Sequence, residues 1–333
     1  MRALRTLVLA ATALLAACSP GKKDEAAQTP PANAPVTLRF ATDWRAQAEH
    51  GGFYQALASG EYARRGLKVE IVQGGPGVNV PQLLASNAVE LGMGSNSFIV
   101  MNLAQEGVPV KAVAAFMQKD PQVLIAHPDT GVEKIADLKG HPILLSDASV
   151  TAFWVWLKAR YGFTDDQVRK YSGNPAPFLS DKRAAQQGYV TSEPYTIEKQ
   201  AGLKARVFLL ADEGYPGYAT MVLATDRLIA KNPAAVKAFV EASAKGWTDY
   251  LGGDATAADA LIRKDNPEMT QDVLDQAREK LRSYKIISGG EGLPVGAMTD
   301  ARWKAFSDMA KAEGVYPKTL DPKKAYTLAF SPK

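Results

Sequence analysis

Three side chains stand out for the chemistry that they offer to a small molecule. Trp44 provides an indole face for stacking and an N–H donor, and His50 provides two ring nitrogens. Glu193 provides a carboxylate that Pro194 holds extended at the start of a predicted helix. Each has a structural alternative: loop packing for Trp44, helix capping or surface exposure for His50, and complementing a helix N-terminus for Glu193.

The charge of Glu193 separates two classes of ligand. A carboxylate in a binding site repels a sulfonate and accepts hydrogen bonds from an amine or an amidine-like group. Glu193 therefore favours a nitrogen heterocycle, on whose ring Trp44 would stack.

Two hydroxyl-rich segments add hydrogen-bonding groups. Ser95, Asn96 and Ser97 follow a predicted strand and precede a helix, and Ser149 and Thr151 have the same placement later in the chain. Hydroxyls and free N–H groups at a helix start can hold an anion or the polar edge of a ring. Helix capping accounts for only one of Ser95, Asn96 and Ser97, which leaves the others available for a ligand. We expect the two segments, each at the start of a helix, to face each other across a binding cleft.

No grouping of residues predicts catalysis or a metal site. His50, His127 and His141 are scattered without an HExxH pattern, and Cys18 is the single cysteine, so thiolate metal spacings and internal disulfides are excluded. We find no aligned nucleophile, base and orienting group. The sequence therefore predicts a binding protein without a cofactor or a metal.

The N-terminus has the pattern of a cleaved export signal. Arg2 and Arg5 precede an apolar stretch of about ten residues, too short to cross a bilayer of about 30 Å as a helix. Small residues then lead to Cys18, as in a bacterial lipobox, where the cysteine is lipidated. We expect a signal peptide at 1–17 and a lipidated, flexible tether at 18–35, which would anchor the protein to a bacterial membrane facing the periplasm or the cell exterior. The alternative is an ordinary signal peptide with an incidental cysteine.

The charge balance excludes a nucleic-acid-binding surface. Without Arg2 and Arg5 the 39 basic residues fall to 37, against 35 acidic ones. Nucleic-acid-binding domains carry a marked basic excess, which is absent here. We expect no nucleic-acid partner and a monomer.

The rest of the chain alternates short β-branched runs with helical periods, which predicts parallel sheets covered by helices. Polar breaks at 118–121 and 215–218 predict two crossings between domains. Domain one would be 36–118 plus 219–333, ending in helices, and domain two would be 119–218. Ligands bind between the carboxyl ends of the strands in such folds, and a hinged cleft can close on them.

Some elements are predicted with particular bounds. The periodicity indicates helices over 52–65, 151–161 and 181–187. Strands are predicted over 36–41 and 219–225, and short strands over 89–93 and 189–191.

In its motifs the chain resembles the NMT1/THI5-like family, which is related to binding proteins for taurine, alkanesulfonates and nitrate. The resemblance covers roughly 36–244 in the expected order. The motifs that carry it are Asp43 with Trp44, His50 with Gly51, Tyr54, the strand at 66–70, the LLASNAVELGMGSNSF and ADLKGHPI stretches, and the tetrad 192–195.

This resemblance implies a periplasmic-binding-protein-like fold of type II, with two α/β domains, two hinge crossovers and a helical C-terminal region. It implies capture of a solute for an ABC importer, whose permease and ATPase would be the partners. It also adds Tyr195, from the tetrad, to the candidate ligand-binding residues. The expected solute is a pyrimidine-type vitamin precursor or another aromatic heterocycle, and the alternative is an alkanesulfonate, taurine or nitrate.

An enzyme is the remaining alternative within the resemblance. The yeast-type pyrimidine synthases carry a cysteine-rich C-terminal motif that this chain, with Cys18 alone, cannot supply. A lipid anchor also differs from the cytosolic setting of those enzymes. Both features favour a binding protein.

Overall fold

The computed structural model describes residues 34–288 and 292–332. The predicted signal peptide, Cys18 and nearly all of the tether lie outside the described residues. The strands are β1 (Val36–Ala41), β2 (Leu67–Val72), β3 (Leu91–Asn96), β4 (Val110–Met117), β5 (Gln122–Ala126), β6 (Ile143–Leu145), β7 (Val168–Lys170), β8 (Ala185–Tyr189), β9 (Arg206–Leu209) and β10 (Ala219–Thr225).

Helices cover the sheets and fill the C-terminal third of the chain. They are α1 (Gly51–Ala58), α2 (Glu61–Arg64), α3 (Val80–Ala85), α4 (Ser97–Gln105), α5 (Asp147–Val150), α6 (Phe153–Tyr161), α7 (Ala176–Ser180), α8 (Glu193–Ala201), α9 (Asp226–Lys231), α10 (Pro233–Gly252), α11 (Thr256–Asp265), α12 (Gln271–Ser283) and α13 (Asp300–Ala312). Among the described residues, none of the helices combines the length and apolar character that a membrane span requires.

Two five-stranded sheets form two α/β domains, which confirms the expected fold class. The first sheet has the order β2-β1-β3-β10-β4. This sheet together with the helices that cover it is called lobe one. The second sheet has the order β7-β6-β8-β5-β9. This sheet together with the helices that cover it is called lobe two. Both sheets are mixed, whereas the sequence predicts parallel ones.

Antiparallel strands enter each sheet where the chain crosses between the lobes. In lobe one, β10 runs antiparallel to both β3 and β4. In lobe two, β5 runs antiparallel to both β8 and β9. The parallel pairs are those among β1, β2 and β3 and those of β6 with β7 and β8.

Two connections, 118–121 and 210–218, join the lobes, and side chains tie them together. Lys119 of the first connection lies 2.9 Å from the Asp212 carboxylate of the second. The Arg302 guanidinium, from α13, donates to the backbone oxygens of Gln118 and Gly217, one on each connection. These contacts hold the two connections side by side.

The long helix α10 packs on α1 through two glycines. A Cβ on Gly52 would lie 2.2 Å from the Trp247 ring, and one on Gly51 would lie 2.0 Å from the Tyr250 ring. Trp247 and Tyr250 are fully buried. Only glycine allows this approach, so these contacts fix the first turn of α1 against α10.

Several predicted elements are wrong in type or bounds. Residues 181–187 are predicted as a helix, but 185–189 form β8, because pairing with strands on both sides overrides the helix propensity of Ala and Gln. The strand predicted at 189–191 is the end of β8 and the turn after it.

Two predicted helices are interrupted. The helix predicted over 52–65 is broken at Gly60, whose φ of 76° separates α1 from α2. The helix predicted over 151–161 begins only at Phe153, after the short α5. The strand predicted over 89–93 is β3, which begins and ends later.

Candidate functional site

The carboxyl ends of four strands meet at a cleft between the lobes. β1 and β3 contribute from lobe one, and β6 and β8 contribute from lobe two. The space between them, counted together with its open mouth, measures about 590 Å³. We call it the central pocket; its lining residues are Asp43, Trp44, Gln47, Gly75, Pro76, Ser95, Asn96, Gln122, Ser146, Ala148, Ser149, Gln187, Gly188, Tyr189 and Glu193.

Two aromatic rings, one from each lobe, lie parallel beside the central pocket. Trp44 lines both this pocket and a larger neighbouring one, whereas Tyr171 lines only the neighbouring one. The Trp44 and Tyr171 ring centroids are 6.1 Å apart, with 6° between the ring planes. Trp44 is half-buried, and its loop is held by a Thr42 hydroxyl that donates to the Trp44 backbone oxygen at 2.9 Å. Gly74 packs on the same loop, since a Cβ there would lie 2.2 Å from the Thr42 backbone oxygen. These contacts fix the backbone of the loop that carries Trp44, and the fixed backbone positions the indole.

Glu193 lies at the first position of α8 with its carboxylate against the central pocket. Its Oε2 accepts from the Tyr189 N–H at 2.7 Å, and its Oε1 accepts from the Tyr171 hydroxyl at 3.3 Å. Gly188 permits this approach, because a Cβ there would lie 2.8 Å from the Glu193 Cβ. Burial raises the pKa of Glu193 to about 7, although the Tyr189 N–H favours the charged form.

Further carboxylates make this part of the cleft acidic. Asp120, in the first connection, accepts from the Gln122 N–H at 2.9 Å, and its burial raises its pKa to about 7. Glu49 is buried and accepts from the Thr191 hydroxyl of lobe two, and burial raises its pKa as well. Of the described residues, those that line the central pocket include Asp43 and Glu193 but no lysine or arginine.

Amide and hydroxyl groups of lobe two also line the central pocket. The Gln187 side-chain oxygen accepts from the Ser146 N–H at 2.6 Å, and the hydroxyls of Ser146 and Ser149 lie 2.9 Å apart. The Gln122 side chain donates to the Gly188 backbone oxygen at 2.9 Å. Because these groups already bond one another, they hold their positions before any ligand arrives. The wall can donate and accept, which suits the edge of a heterocycle.

Comparison with known proteins identifies the family. A family model described as NMT1/THI5 like matches residues 47–255, well over half of the chain. The chain belongs to this family.

Two curated members of comparable length are similar over most of the chain. The riboflavin-binding protein RibY of Chloroflexus aurantiacus is 26% identical over 98% of this chain and 97% of its own length. The formylaminopyrimidine-binding protein of Halalkalibacterium halodurans is 24% identical over 77% of this chain and 81% of its own length.

A solved structure shares the fold. The alkanesulfonate-binding protein SsuA from Xanthomonas axonopodis pv. citri, bound to MOPS, superimposes with a TM-score of 0.65 at 16% identity. The superposition covers 88% of this chain and 98% of SsuA. At this identity the likeness concerns the fold alone.

Five residues predicted from the sequence to contact ligand line the central pocket of this NMT1/THI5-like protein. They are Trp44, Ser95, Asn96, Ser149 and Glu193. Asn96 also caps α4, since its side-chain oxygen accepts from the Phe98 N–H at 3.1 Å.

The other four predicted residues lie elsewhere. His50 is fully buried beneath the cleft, with Nε2 3.4 Å from an Asp43 carboxylate oxygen. Ser97 is buried and its hydroxyl accepts from the Tyr218 N–H at 2.9 Å. Thr151 is exposed and lines a neighbouring pocket that shares Asp43, Ser95 and Ala148 with the central one. The Tyr195 hydroxyl donates to Asp272 of α12 at 2.8 Å.

Sequence reasoning missed Tyr171, Tyr189 and the glutamines of the pocket. Tyr171 follows the three-residue edge strand β7, for which no strand is predicted. Gln187 and Tyr189 both belong to β8. The sequence analysis divides this strand between a helix over 181–187 and a strand over 189–191, which hid the alternation of these two residues toward the cleft. The signal that could have found Tyr171 is the turn-forming Ser172-Gly173-Asn174 that follows it.

Two further facts bear on the chemistry of the site. Within 34–288 and 292–332, no cluster of three or more His, Cys, Asp or Glu side chains could hold a metal ion. The buried tryptophans 154 and 156 both belong to the core of lobe two, and the Trp154 indole donates to Asp165 at 2.8 Å.

Proposed function

We propose that this protein is the solute-binding component of an ABC-type importer and that it holds a planar nitrogen heterocycle in the central pocket. The observation that carries the proposal is the pairing of parallel rings from the two lobes, Trp44 and Tyr171, with the carboxylate of Glu193 beside them. Stacking recognises a flat ring, and a carboxylate recognises ring or exocyclic N–H donors.

The charge of the pocket favours a neutral or cationic ligand over an anion. Asp43 and Glu193 would repel a sulfonate or nitrate, and among the described lining residues no cation would offset that repulsion. The two curated relatives carry the names of binding proteins for nitrogen heterocycles, which supports the same ligand class. We propose no catalytic step.

Closure of the lobes would complete the site. We propose that 36–118 with 219–333 move as one domain and 119–218 as the other, with the two connections as the hinge. The support is that lining residues come from both lobes, so each lobe alone holds half of the ligand contacts.

We also propose export and anchoring through Cys18, on the basis of the sequence before it. The partners would then be the permease and ATPase of the importer, and the protein would act as a lipid-anchored monomer. Cys18→Ser should release the protein from the membrane fraction. Recovery of unmodified Cys18 at the N-terminus of the native mature protein, by mass spectrometry, would contradict the anchor.

Calorimetry of the mature protein with three ligand classes tests the ligand proposal. The panel is nitrogen heterocycles, alkanesulfonates including taurine, and nitrate. We expect at least one heterocycle to bind and to raise the melting temperature, by about 2.7 kcal/mol of linkage at a hundredfold excess over Kd. Binding of the sulfonates or nitrate alone would refute the heterocycle proposal.

A further inference from the structure

We propose that Arg302 is a positioning residue that sets how far the empty cleft opens, because it ties the two connections between the lobes to the C-terminal helix α13. This inference rests on the proposed function in one respect, since it takes the connections 118–121 and 210–218 as the hinge. It concerns the motion of the lobes and is independent of the class of ligand.

The Arg302 side chain reaches both connections at once. Its guanidinium donates to the backbone oxygen of Gln118, in the first connection, and to that of Gly217, in the second, the latter at 3.4 Å. It also lies over the Tyr218 ring, 4.3 Å from the ring centroid. A guanidinium donates several hydrogen bonds from one rigid plane and stacks on aromatic rings. One side chain therefore holds two separate stretches of backbone at a set spacing.

Other residues of the C-terminal region bind the same two connections. The Ile286 backbone oxygen accepts from the Gln118 N–H at 2.8 Å, and the Gln118 side chain donates to the Ala297 backbone oxygen at 2.9 Å. The Thr299 N–H, at the start of α13, donates to the Tyr218 hydroxyl at 3.0 Å. Hinge closure changes the φ and ψ angles of the connecting residues, so bonds that fix their backbone restrict the motion.

Both connections lead directly to residues of the central pocket. Asp120 accepts from the N–H of Gln122, which lines that pocket, at 2.9 Å. The Tyr218 N–H donates at 2.9 Å to the hydroxyl of Ser97, which follows the lining residue Asn96. A shift of either connection would therefore move part of the pocket wall, although Arg302 itself does not line the pocket.

A strained residue shows that the start of β10 is held firmly. Thr220, the second residue of β10, has a φ of 45° and is fully buried. A β-branched residue keeps a positive φ only where the surrounding structure imposes it. Bending of the second connection therefore falls to the residues before β10, which include Gly217, whose backbone oxygen accepts from Arg302.

Spin labels on the two lobes measure the opening of the ligand-free protein. Cys18 is the single cysteine of the sequence, so Cys18→Ser protein with Gln82→Cys in lobe one and Lys182→Cys in lobe two carries labels at these two exposed sites alone. We expect the distance distribution from double electron–electron resonance to broaden roughly twofold when Arg302→Met is added to this parent. Arg302→Lys keeps the charge but lacks the planar guanidinium, so its distribution should lie between the two.

A matched control separates this role from a general loss of structure. Arg282→Met removes an arginine of α12 that donates to the Leu251 backbone oxygen of α10 at 2.9 Å, and it should leave the distribution unchanged. In Arg302→Met, hydrogen–deuterium exchange should become faster in peptides that cover 118–121 and 215–218 and stay unchanged in β1. Melting temperatures report whether each variant folds.

A distribution as narrow as that of the parent in Arg302→Met would overturn the inference, as would equal broadening in Arg282→Met. Where Arg302→Met does not fold, Arg302→Lys decides: a distribution broader than that of the parent supports the inference, and an identical one overturns it. No ligand is present in this experiment, so these outcomes leave the heterocycle proposal unchanged. A failure of every heterocycle to bind in calorimetry would likewise leave the role of Arg302 unchanged.

Discussion

The indole of Trp44 and the phenol of Tyr171 lie parallel across the cleft, with their ring centroids 6.1 Å apart. Trp44 belongs to the loop after β1 in lobe one, and Tyr171 follows β7 in lobe two. A flat ligand ring inserted between two stacked rings needs roughly 7 Å between their planes, so the two lobes would have to move apart wherever the planes of Trp44 and Tyr171 lie closer than that. The pair therefore links ligand stacking to the relative position of the lobes.

Removing either ring should weaken ligand binding without unfolding the protein. We expect Trp44→Ala and Tyr171→Leu each to raise Kd about 10- to 100-fold, because one stacking face is lost. Phe330→Ala, which removes a partly buried ring that lines none of the pockets, is the control. Calorimetry together with urea unfolding would check this, and a loss of stability with unchanged affinity would show that Trp44 only packs.

Neutralising Glu193 should have opposite effects on the two ligand classes. At about pH 8, above its raised pKa, Glu193 carries a charge. Glu193→Gln keeps the shape of the side chain but removes that charge, so at this pH it should weaken a donor-rich heterocycle by about tenfold and strengthen any anion binding. Glu198→Gln, on an exposed face of the same helix, is the control. Unchanged binding of both classes in Glu193→Gln would remove this residue from the site.

The raised pKa of Glu193 predicts how stability depends on pH. The folded state keeps the proton up to about pH 7, whereas the unfolded chain releases it near the ordinary value of 4.5. The free energy of unfolding should therefore fall as pH rises from about 4.5 to about 7. Asp120, with its pKa raised to about 7, contributes in the same direction.

In Glu193→Gln the fall in the free energy of unfolding with rising pH should be smaller by something on the order of 1–2 kcal/mol. The contribution of Asp120 to that fall should remain. Urea unfolding of the ligand-free protein at about pH 5 and about pH 8 measures it. An identical pH dependence in wild type and Glu193→Gln would contradict the raised pKa.

An exposed cluster between the lobes should favour the closed state. Tyr195 and Lys199 of α8 donate to the Asp272 carboxylate of α12, at 2.8 and 2.6 Å. Asp272→Asn should lower ligand affinity a few-fold while changing stability by less than about 1 kcal/mol, because the pair is exposed. Asp249→Asn removes the Lys245 pair within α10 and is the control. Equal affinities in both variants would show that the cluster does not act on closure.

The sequence predicts most of the fold because its signals are local. β1 and β10 lie at the predicted residues, since their β-branched and apolar runs are bounded by clear breaks. β8 could not be predicted, because Ala185, Gln186 and Gln187 favour a helix locally and become a strand only through their neighbours. The antiparallel direction of β5 and β10 was missed as well. The direction of a strand depends on its pairing partners, which are far away in sequence.

Site residues could be predicted from the sequence only where their position depends on local structure within one lobe. Trp44 and Glu193 were found because each stands at the junction of a strand or loop with a helix. The contact of Trp44 with Tyr171 depends on how two lobes meet, and no local pattern contains that information. Tyr195 was expected in the site, but its hydroxyl reaches α12 instead.

A crystal structure with the tightest-binding heterocycle tests the central claim most directly. We predict a ring stacked on Trp44 at about 3.5 Å and a ring or exocyclic nitrogen within about 2.6–3.2 Å of a Glu193 carboxylate oxygen. Trp44→Ala crystals treated in the same way should show no such density. A ligand bound outside the central pocket, or bound there without contact to Trp44 and Glu193, would contradict the account.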